Sequence, residues 1–327
     1  MKIEKLKINT VVCGDSLAVL KTFPNESVDC VITSPPYFNL RDYGVNGQIG
    51  LEKTYQEYID KLIAVFDEVK RILKKDGTCF INLMDTYGGS GGLGYKQSYS
   101  NVNQSTGGKE NISLKSKLGI KTNYLQKSLM MIPERFGIAM IDRGWINRNC
   151  LIWIKPNAMP ESVQDRWKKA HEYIFFFTKS KKYYFNLDAI RTPHKDISIK
   201  RADYEQGRNA LGQNVSSMGD KSKKYGMSAR QVKLNPKGAV PPDYLIVNTN
   251  CSEFDTVKEH YATYPTKLIV PLIKAGCPDK GIVLDPFFGS GTTGLVAKFL
   301  GRNYIGIELN PEYIKLAKQR LSQQILI

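Results

Sequence analysis

Gly281-Ile282-Val283-Leu284-Asp285-Pro286-Phe287-Phe288-Gly289-Ser290-Gly291-Thr292-Thr293-Gly294 is the stretch that decides how this chain folds. Gly281–Leu284 reads as a short buried strand with an acid at its end, and Pro286 cannot continue a hydrogen-bonded ladder. The glycines permit a tight turn, after which a helix runs to Leu300 and is stopped by Gly301. Asn303–Ile307 then reads as a second strand ending at Glu308, and Asn310-Pro311 supplies a cap and a first-turn proline for a final helix. Strand, glycine turn, helix, strand and acid make a nucleotide-binding βαβ unit, which implies a parallel sheet.

Gly289, Gly291 and Gly294 match GxGxxG, and Glu308 lies near the ~20-residue offset at which dinucleotide folds place a ribose-binding acid. Taken alone, that pattern points to an NAD-dependent oxidoreductase. The preceding Asp285-Pro286-Phe287-Phe288 argues otherwise. In dinucleotide folds the strand runs directly into the first glycine, so that a helix N-terminus meets a pyrophosphate. An acid and a bulky aromatic at that point suit a cationic ligand portion better than a phosphate.

Working outward, the N-terminal third also alternates strand and helix. A strand near Thr10–Cys13 ends at Gly14-Asp15, a short helix covers about Ser16–Thr22, and a second strand, Val28–Thr33, runs into Ser34-Pro35-Pro36-Tyr37. Thr54 and Glu57 form a capping box for a helix whose apolar face carries Ile59, Leu62, Ile63, Phe66, Val69, Ile72 and Leu73, with Gly77 as its stop. Thr78–Leu83 follows as a strand buried on both faces. A helix around Pro133–Arg143 and two apolar strands, Cys150–Ile154 and Glu172–Thr178, suit the far half of the same sheet. Two stretches lack periodicity: Gly88 to about Lys121, read as a mobile functional loop or a disordered surface excursion, and the basic run from about Asp188 to Asn250, read as an insertion or small subdomain.

The second informative motif is Thr33-Ser34-Pro35-Pro36-Tyr37. Two prolines remove backbone freedom, so the Ser34 hydroxyl and the Pro35 carbonyl stand as two pre-set acceptors beside an aromatic face at Tyr37. Such a pair matches a particular difficulty. The lone pair of a base NH2 is delocalised into the ring, and accepting both N–H bonds pushes the nitrogen toward tetrahedral geometry.

Together the two motifs resemble those of DNA amino-methyltransferases, in the group whose catalytic motif precedes the cofactor motif, and the resemblance extends over nearly the whole chain. It implies a doubly wound, Rossmann-like α/β sheet that binds S-adenosylmethionine and carries a basic target-recognition insertion. Ser34, Pro35, Pro36 and Tyr37 become the expected catalytic residues. Asp285 is expected at the methionine amine, Asp15 at the adenine end and Glu308 on the ribose hydroxyls. His260 and Thr263, in a segment of looser resemblance where Tyr261 and Tyr264 depart from the family pattern, are expected to close over the methionine end. Thr33, Phe287, Gly289, Ser290, Gly291 and Thr292 complete the cofactor set. The implied domains are 1–185 as the catalytic half with the loop 88–121, 186–255 as the target-recognition insertion and 256–327 as the cofactor-binding half. Family members with Ser in place of Asp at position 34 mostly methylate cytosine N4, so that base is expected, with adenine N6 as the alternative. Double-stranded DNA is the implied partner, with the target base flipped out of the duplex, and a homodimer is compatible with the resemblance.

Composition agrees. Of 327 residues, Lys and Arg number 47 against 31 Asp and Glu, a formal charge of +16 that attracts polyanions. No CxxC pair occurs and only three histidines are present, so no metal site is expected. No Pro-Cys dipeptide occurs, and this excludes cytosine C5 chemistry of the Cys-nucleophile kind. With no signal pattern and no apolar run near ~20 residues, the expected location is cytoplasmic. His171 and Glu172, at the start of a strand, read as a satisfied strand-end pair rather than an acid–base couple.

Overall fold

The computed structural model describes residues 6–88, 124–200, 202, 234–249 and 264–322. The expected loop beyond Gly88, and with it His260 and Thr263, lies outside the described residues. No helix among the described residues is long and apolar enough to cross a membrane.

The chain builds one eight-stranded sheet. Its strands are β1 (Thr10–Cys13), β2 (Val28–Thr33), β3 (Leu73–Leu83), β4 (Ile146–Ile154), β5 (His171–Thr178), β6 (Tyr244–Ile246), β7 (Ile282–Asp285) and β8 (Asn303–Glu308), in the order β1-β8-β7-β2-β3-β5-β4-β6. The first five in that order run parallel, whereas β5 pairs antiparallel to both β3 and β4. Helices α1 (Ser16–Leu20), α2 (Tyr55–Ile72) and α3 (Ile132–Asp142) cover one face; α4 (Thr266–Gly276), α5 (Thr292–Phe299) and α6 (Pro311–Ser322) cover the other.

Strand alternation explains why both layers are dry. On β5, Phe175 and Phe177 join the core beneath α2 and α3, while Ile174 and Phe176 join the core beneath α4 to α6. Phe176 stacks on Phe80 of β3 with ring centroids 4.6 Å apart. The capping box of α2 forms as read, and the helix buries Tyr58, Ile59, Leu62, Val65, Phe66, Val69 and Ile72. Each of these contributes roughly 1.5–3 kcal/mol of transfer free energy.

The end of α2 differs from the expectation. Leu73 is already extended at φ −66°, ψ 134°, and begins β3, so the helix stops at Ile72 without using a glycine. Gly77 lies inside β3 because a Cβ there would come within 2.6 Å of the Leu73 side chain and 2.9 Å of the Asp29 carbonyl.

The described residues divide into two compact units, one from residues 1–185 and 243–327, the other from Asn186–Pro242. Tyr244–Ile246 pair with Ile152–Ile154 as an edge strand, so the sheet resumes before the limit of 255 read from the sequence. Within the second unit, Asn186 caps the turn Leu187–Ile190, and Asp188 pairs with Arg191 and Lys237.

One glycine had no signal in the sequence. A Cβ on Gly306, in β8, would lie 2.3 Å from Cγ of Phe288, whose ring stacks parallel to that of Tyr304 at 6.1 Å. Gly306→Ala is expected to cost about 3 kcal/mol through overpacking, and thermal unfolding of the variant measures it. Combining it with Phe288→Leu is expected to recover part of that loss.

Candidate active site

Strand order reverses between β7 and β2, which are hydrogen-bonded neighbours far apart in sequence. In open α/β sheets such a switch point leaves a crevice at the C-terminal strand ends. A cavity of 420 Å³ opens there, and seven of the expected site residues line it: Asp15, Ser34, Pro36, Phe287, Gly289, Ser290 and Glu308. Its remaining walls include Tyr43, Ile49, Leu309 and Tyr313, none of which the sequence singled out. The Tyr43 and Tyr313 rings meet edge to face at 6.3 Å. Thr33, Pro35, Tyr37, Asp285, Gly291 and Thr292 do not line this cavity.

Asp285 lies behind the crevice wall and is the hub of its hydrogen bonds. It is 1% exposed, and four donors surround its carboxylate. Thr33 Oγ1 at 2.6 Å and the Phe287 amide at 3.0 Å bond Oδ1; Thr293 Oγ1 at 2.6 Å and the Tyr264 hydroxyl at 3.0 Å bond Oδ2. Burial pushes this carboxyl above its ordinary range, and the four donors pull in the opposite direction. Tyr264, which departs from the family pattern in sequence, is therefore a structural donor to the motif acid. Its own hydroxyl is held well above the usual phenol range by burial and by the nearby Asp285 charge.

Beyond Asp285 the chain makes its glycine turn. Gly289 and Gly291 adopt φ of 52° and 86°, values in the left-handed region that glycine reaches without strain. Arg320 of α6, 1% exposed, holds the turn from beneath: Nη1 donates to Ser290 O and Oγ at 2.7 Å each and to Thr292 Oγ1 at 3.2 Å. The hydroxyls of Ser290 and Thr292 thus face a buried guanidinium. Arg320 carried no sequence signal, because a cation at helical spacing in a terminal amphipathic helix reads as solvated.

Glu308 closes the far wall. Its Oε2 accepts the Gly289 amide at 2.7 Å and its Oε1 accepts the Asn310 amide at 2.8 Å. Burial raises this carboxyl above its usual range, the backbone amides of Asn310, Gly289 and Leu309 opposing the shift. Asp15 caps α1 through Ala18 N at 2.9 Å, and the adjacent Ser16 Oγ donates to the Pro286 carbonyl at 2.5 Å, joining the Gly14-Asp15-Ser16 segment to the glycine motif. On the opposite wall, buried Glu52 accepts the Gly50 amide at 2.8 Å and pairs with Lys61, which anchors the segment carrying Tyr43 and Ile49.

The Ser34–Tyr37 turn borders this cavity. Tyr58 of α2 donates its hydroxyl to the Pro36 carbonyl at 2.9 Å and so pins the turn from the helix side. Tyr37 is half-buried, and its hydroxyl reaches down to Ser34 Oγ (3.1 Å), Asn82 Oδ1 (3.0 Å) and Glu172 Oε2 (2.6 Å). Glu172 is 4% exposed and also pairs with Lys155. The expectation of a strand-end pair between His171 and Glu172 is corrected on this point. Neighbouring strand residues point to opposite faces, so Glu172 turns inward to the motif while His171 packs its ring on Tyr173 at the exposed end.

A cofactor-sized crevice at a glycine turn, bordered by a rigid two-proline turn, places the chain in the nucleotide-cofactor α/β class. Residues 28–319 match the DNA methylase family of N6/N4 type, and the chain belongs to that family. The match sets aside the oxidoreductase reading of GxGxxG. The chain is 40% identical over 319 residues to the Type II methyltransferase M.XycI of Xanthomonas campestris pv. cyanopsidis, covering 98% of this chain and 89% of that one. Among solved structures, the cytosine-N4-specific PvuII DNA methyltransferase aligns with a TM-score of 0.62 at 21% identity, over 99% of this chain and 89% of that one. The M1.HpyAVI–SAM complex aligns with a TM-score of 0.52 at 19% identity, over 96% and 99%. These two likenesses establish the fold.

Proposed function

We propose that this DNA methyltransferase transfers methyl from S-adenosylmethionine to the N4 amine of cytosine in double-stranded DNA, with the target base flipped out. The observation that carries the reading is the neutral hydroxyl of Ser34 at the rim of the cofactor-sized crevice, in a turn pinned by Tyr58. A hydroxyl accepts from the amine without placing a carboxylate beside it, as the adenine-N6 alternative commonly does at this position. The solved neighbour specific for cytosine N4 supports the same choice.

The crevice fits S-adenosylmethionine. Its 420 Å³ lies within the ~300–1,000 Å³ typical of small-molecule sites, and its walls combine flat aromatic and aliphatic surface with a few convergent polar groups. The solved relative complexed with SAM shares this fold. Glu308 would hold the ribose hydroxyls through its carboxylate, which lines the cavity, with Asp15 at the adenine end beside Tyr43 and Tyr313. When bound, the cofactor supplies an electrophilic methyl for direct displacement by the amine. The methionine end would lie along Phe287, Gly289 and Ser290, with Asp285 acting from behind by fixing their backbone rather than as an open ligand. Gly291 and Thr292 support the turn. His260 and Thr263 keep their assignment to the methionine end as part of this reading.

In the reaction, Ser34 Oγ and the Pro35 carbonyl accept the two amine hydrogens and localise the nitrogen lone pair, while Pro36 keeps the turn rigid. The half-buried Tyr37 ring offers stacking of roughly 1–3 kcal/mol, which offsets part of the few kcal/mol that flipping costs. The unit Asn186–Pro242, whose described residues include Arg191, Lys195, Lys200 and Lys237, is proposed as the target-recognition part. As a Type II relative, the chain would protect DNA from a partner nuclease of the same specificity.

Methylated plasmid digested to nucleosides and separated by mass spectrometry tests the whole reading. N4-methyl-2′-deoxycytidine is the expected product. N6-methyl-2′-deoxyadenosine in its place would move the assignment to the alternative base, and no methylated nucleoside would overturn it.

A further inference from the structure

Glu172 sits in the motif network, although the chemistry assigned to Ser34 does not require it. The sheet register places it there: Thr33 of β2 pairs with Ile81 of β3, which pairs with Phe175 of β5. The start of β5 therefore arrives at the same end of the sheet as Ser34. Its carboxylate is shared between two partners, Tyr37 on Oε2 and Lys155 on Oε1. Lys155 follows β4 directly, lies over the Trp153 ring at 4.5 Å and has a side chain only 15% exposed. An ion pair this buried contributes little net stability, since desolvation offsets its Coulombic gain. What it does supply is a fixed hydrogen-bond acceptor.

The direction of the hydrogen bonds follows from counting hydrogens. A tyrosine hydroxyl carries one hydrogen, and two acceptors face that of Tyr37: Glu172 Oε2 at 2.6 Å and Asn82 Oδ1 at 3.0 Å. The ionised and closer acceptor forms the stronger bond, so the hydrogen goes to Glu172. Asn82 is held in place by its own bond to the Tyr173 carbonyl at 3.1 Å. A carboxylate has nothing to donate, which sets the polarity of the chain from its buried end. Tyr37 donates to Glu172, and Ser34 donates to Tyr37 at 3.1 Å. The Ser34 oxygen then faces the crevice with lone pairs only.

We propose that Glu172, pinned by Lys155, is a positioning residue for methyl transfer: through Tyr37 it holds the Ser34 hydroxyl as an acceptor toward the target amine. The proposal rests on the role given to Ser34 above. It adds a control element drawn from a strand about 140 residues further along the chain, and it accounts for a buried charge pair at this place.

The test is kinetic. Glu172→Gln keeps the volume but removes the charged acceptor, leaving the Tyr37 hydrogen only the more distant, neutral Asn82 Oδ1 and so weakening the fixed polarity of the chain. It is expected to lower kcat roughly tenfold or more, with the S-adenosylmethionine Kd and the DNA KM held within about twofold. In a Tyr37→Phe background, which lacks the linking hydroxyl, the same substitution is expected to change kcat by less than about twofold. Unchanged kcat in Glu172→Gln, or an equal fall in both backgrounds, would overturn the proposal. Should Glu172→Gln fail to fold, Tyr37→Phe alone decides the matter. It cuts the chain without touching the ion pair, and full kcat in that variant would overturn the proposal. An unmutated chain that does not methylate DNA refutes the methylation reading itself; an active chain with a silent Glu172→Gln refutes the positioning role alone.

Discussion

Ser34→Ala is expected to lower kcat by roughly 10²–10³-fold, the scale seen when one preorganised group facing a developing charge is removed. Binding of S-adenosylmethionine is expected to change by less than about twofold, because the change falls in kcat when the lost interaction belongs to the transition state. The physical reason lies in the substrate. An exocyclic amine becomes nucleophilic as its lone pair leaves the ring system, and the positive charge that develops on nitrogen is stabilised by acceptors on its hydrogens. Alanine removes one such acceptor while Tyr58 still holds the turn through Pro36, so the geometry survives. Transfer of a labelled methyl group, with cofactor affinity from calorimetry on the same preparation, separates the two effects. Retained kcat would remove Ser34 from the chemistry.

Asp285→Ala is expected to act through architecture. Four donors lose their common acceptor at once, namely the hydroxyls of Thr33, Thr293 and Tyr264 and the Phe287 amide. Buried groups left unsatisfied cost about 1–3 kcal/mol each, partly relieved as hydroxyls rotate, so a net loss of about 3–4 kcal/mol is expected. The same change frees the backbone that leads into Gly289 and Ser290, and cofactor affinity is expected to fall roughly 10²-fold, an architectural loss of about 3 kcal/mol. Differential scanning calorimetry and a cofactor titration measure the two. Normal stability with lost affinity would return Asp285 to the role of a direct ligand.

The contrast between these two residues shows how far the sequence could be read. Both stand in recognisable motifs, and the sequence placed both at the site. For Ser34 the local pattern suffices, because two prolines confine its neighbours within the same five residues. For Asp285 the expected role was contact with a cationic ligand. The structure surrounds it with Thr33, 252 positions away in the chain, and with Tyr264. No local pattern reports that a carboxylate has four donors around it. The same limit hid Arg320 beneath the glycine turn, Phe288 against Gly306, and Glu172 beneath Tyr37.

Among the described residues, most of the secondary structure was legible, because amphipathic period, caps and proline stops act over a few residues. The end of α2 was one exception, and the start of β4, at Ile146 rather than Cys150, was another. Leu73 fits the helical apolar stripe, but pairing with Val28 on β2 pulled it into β3. The C-terminal limit of the insertion behaved alike: Tyr244–Ile246 are too short to announce a strand, and only the open edge of β4 makes them one. By itself, then, the sequence determined the alternation of strands and helices, the two motifs and the family. Tertiary structure alone decided which carboxylates face a cavity, which serve as internal acceptors, and which buried charges hold the motif turns. Those properties depend on contacts between strand ends brought together at the β2–β7 switch point, and no spacing along the chain encodes them.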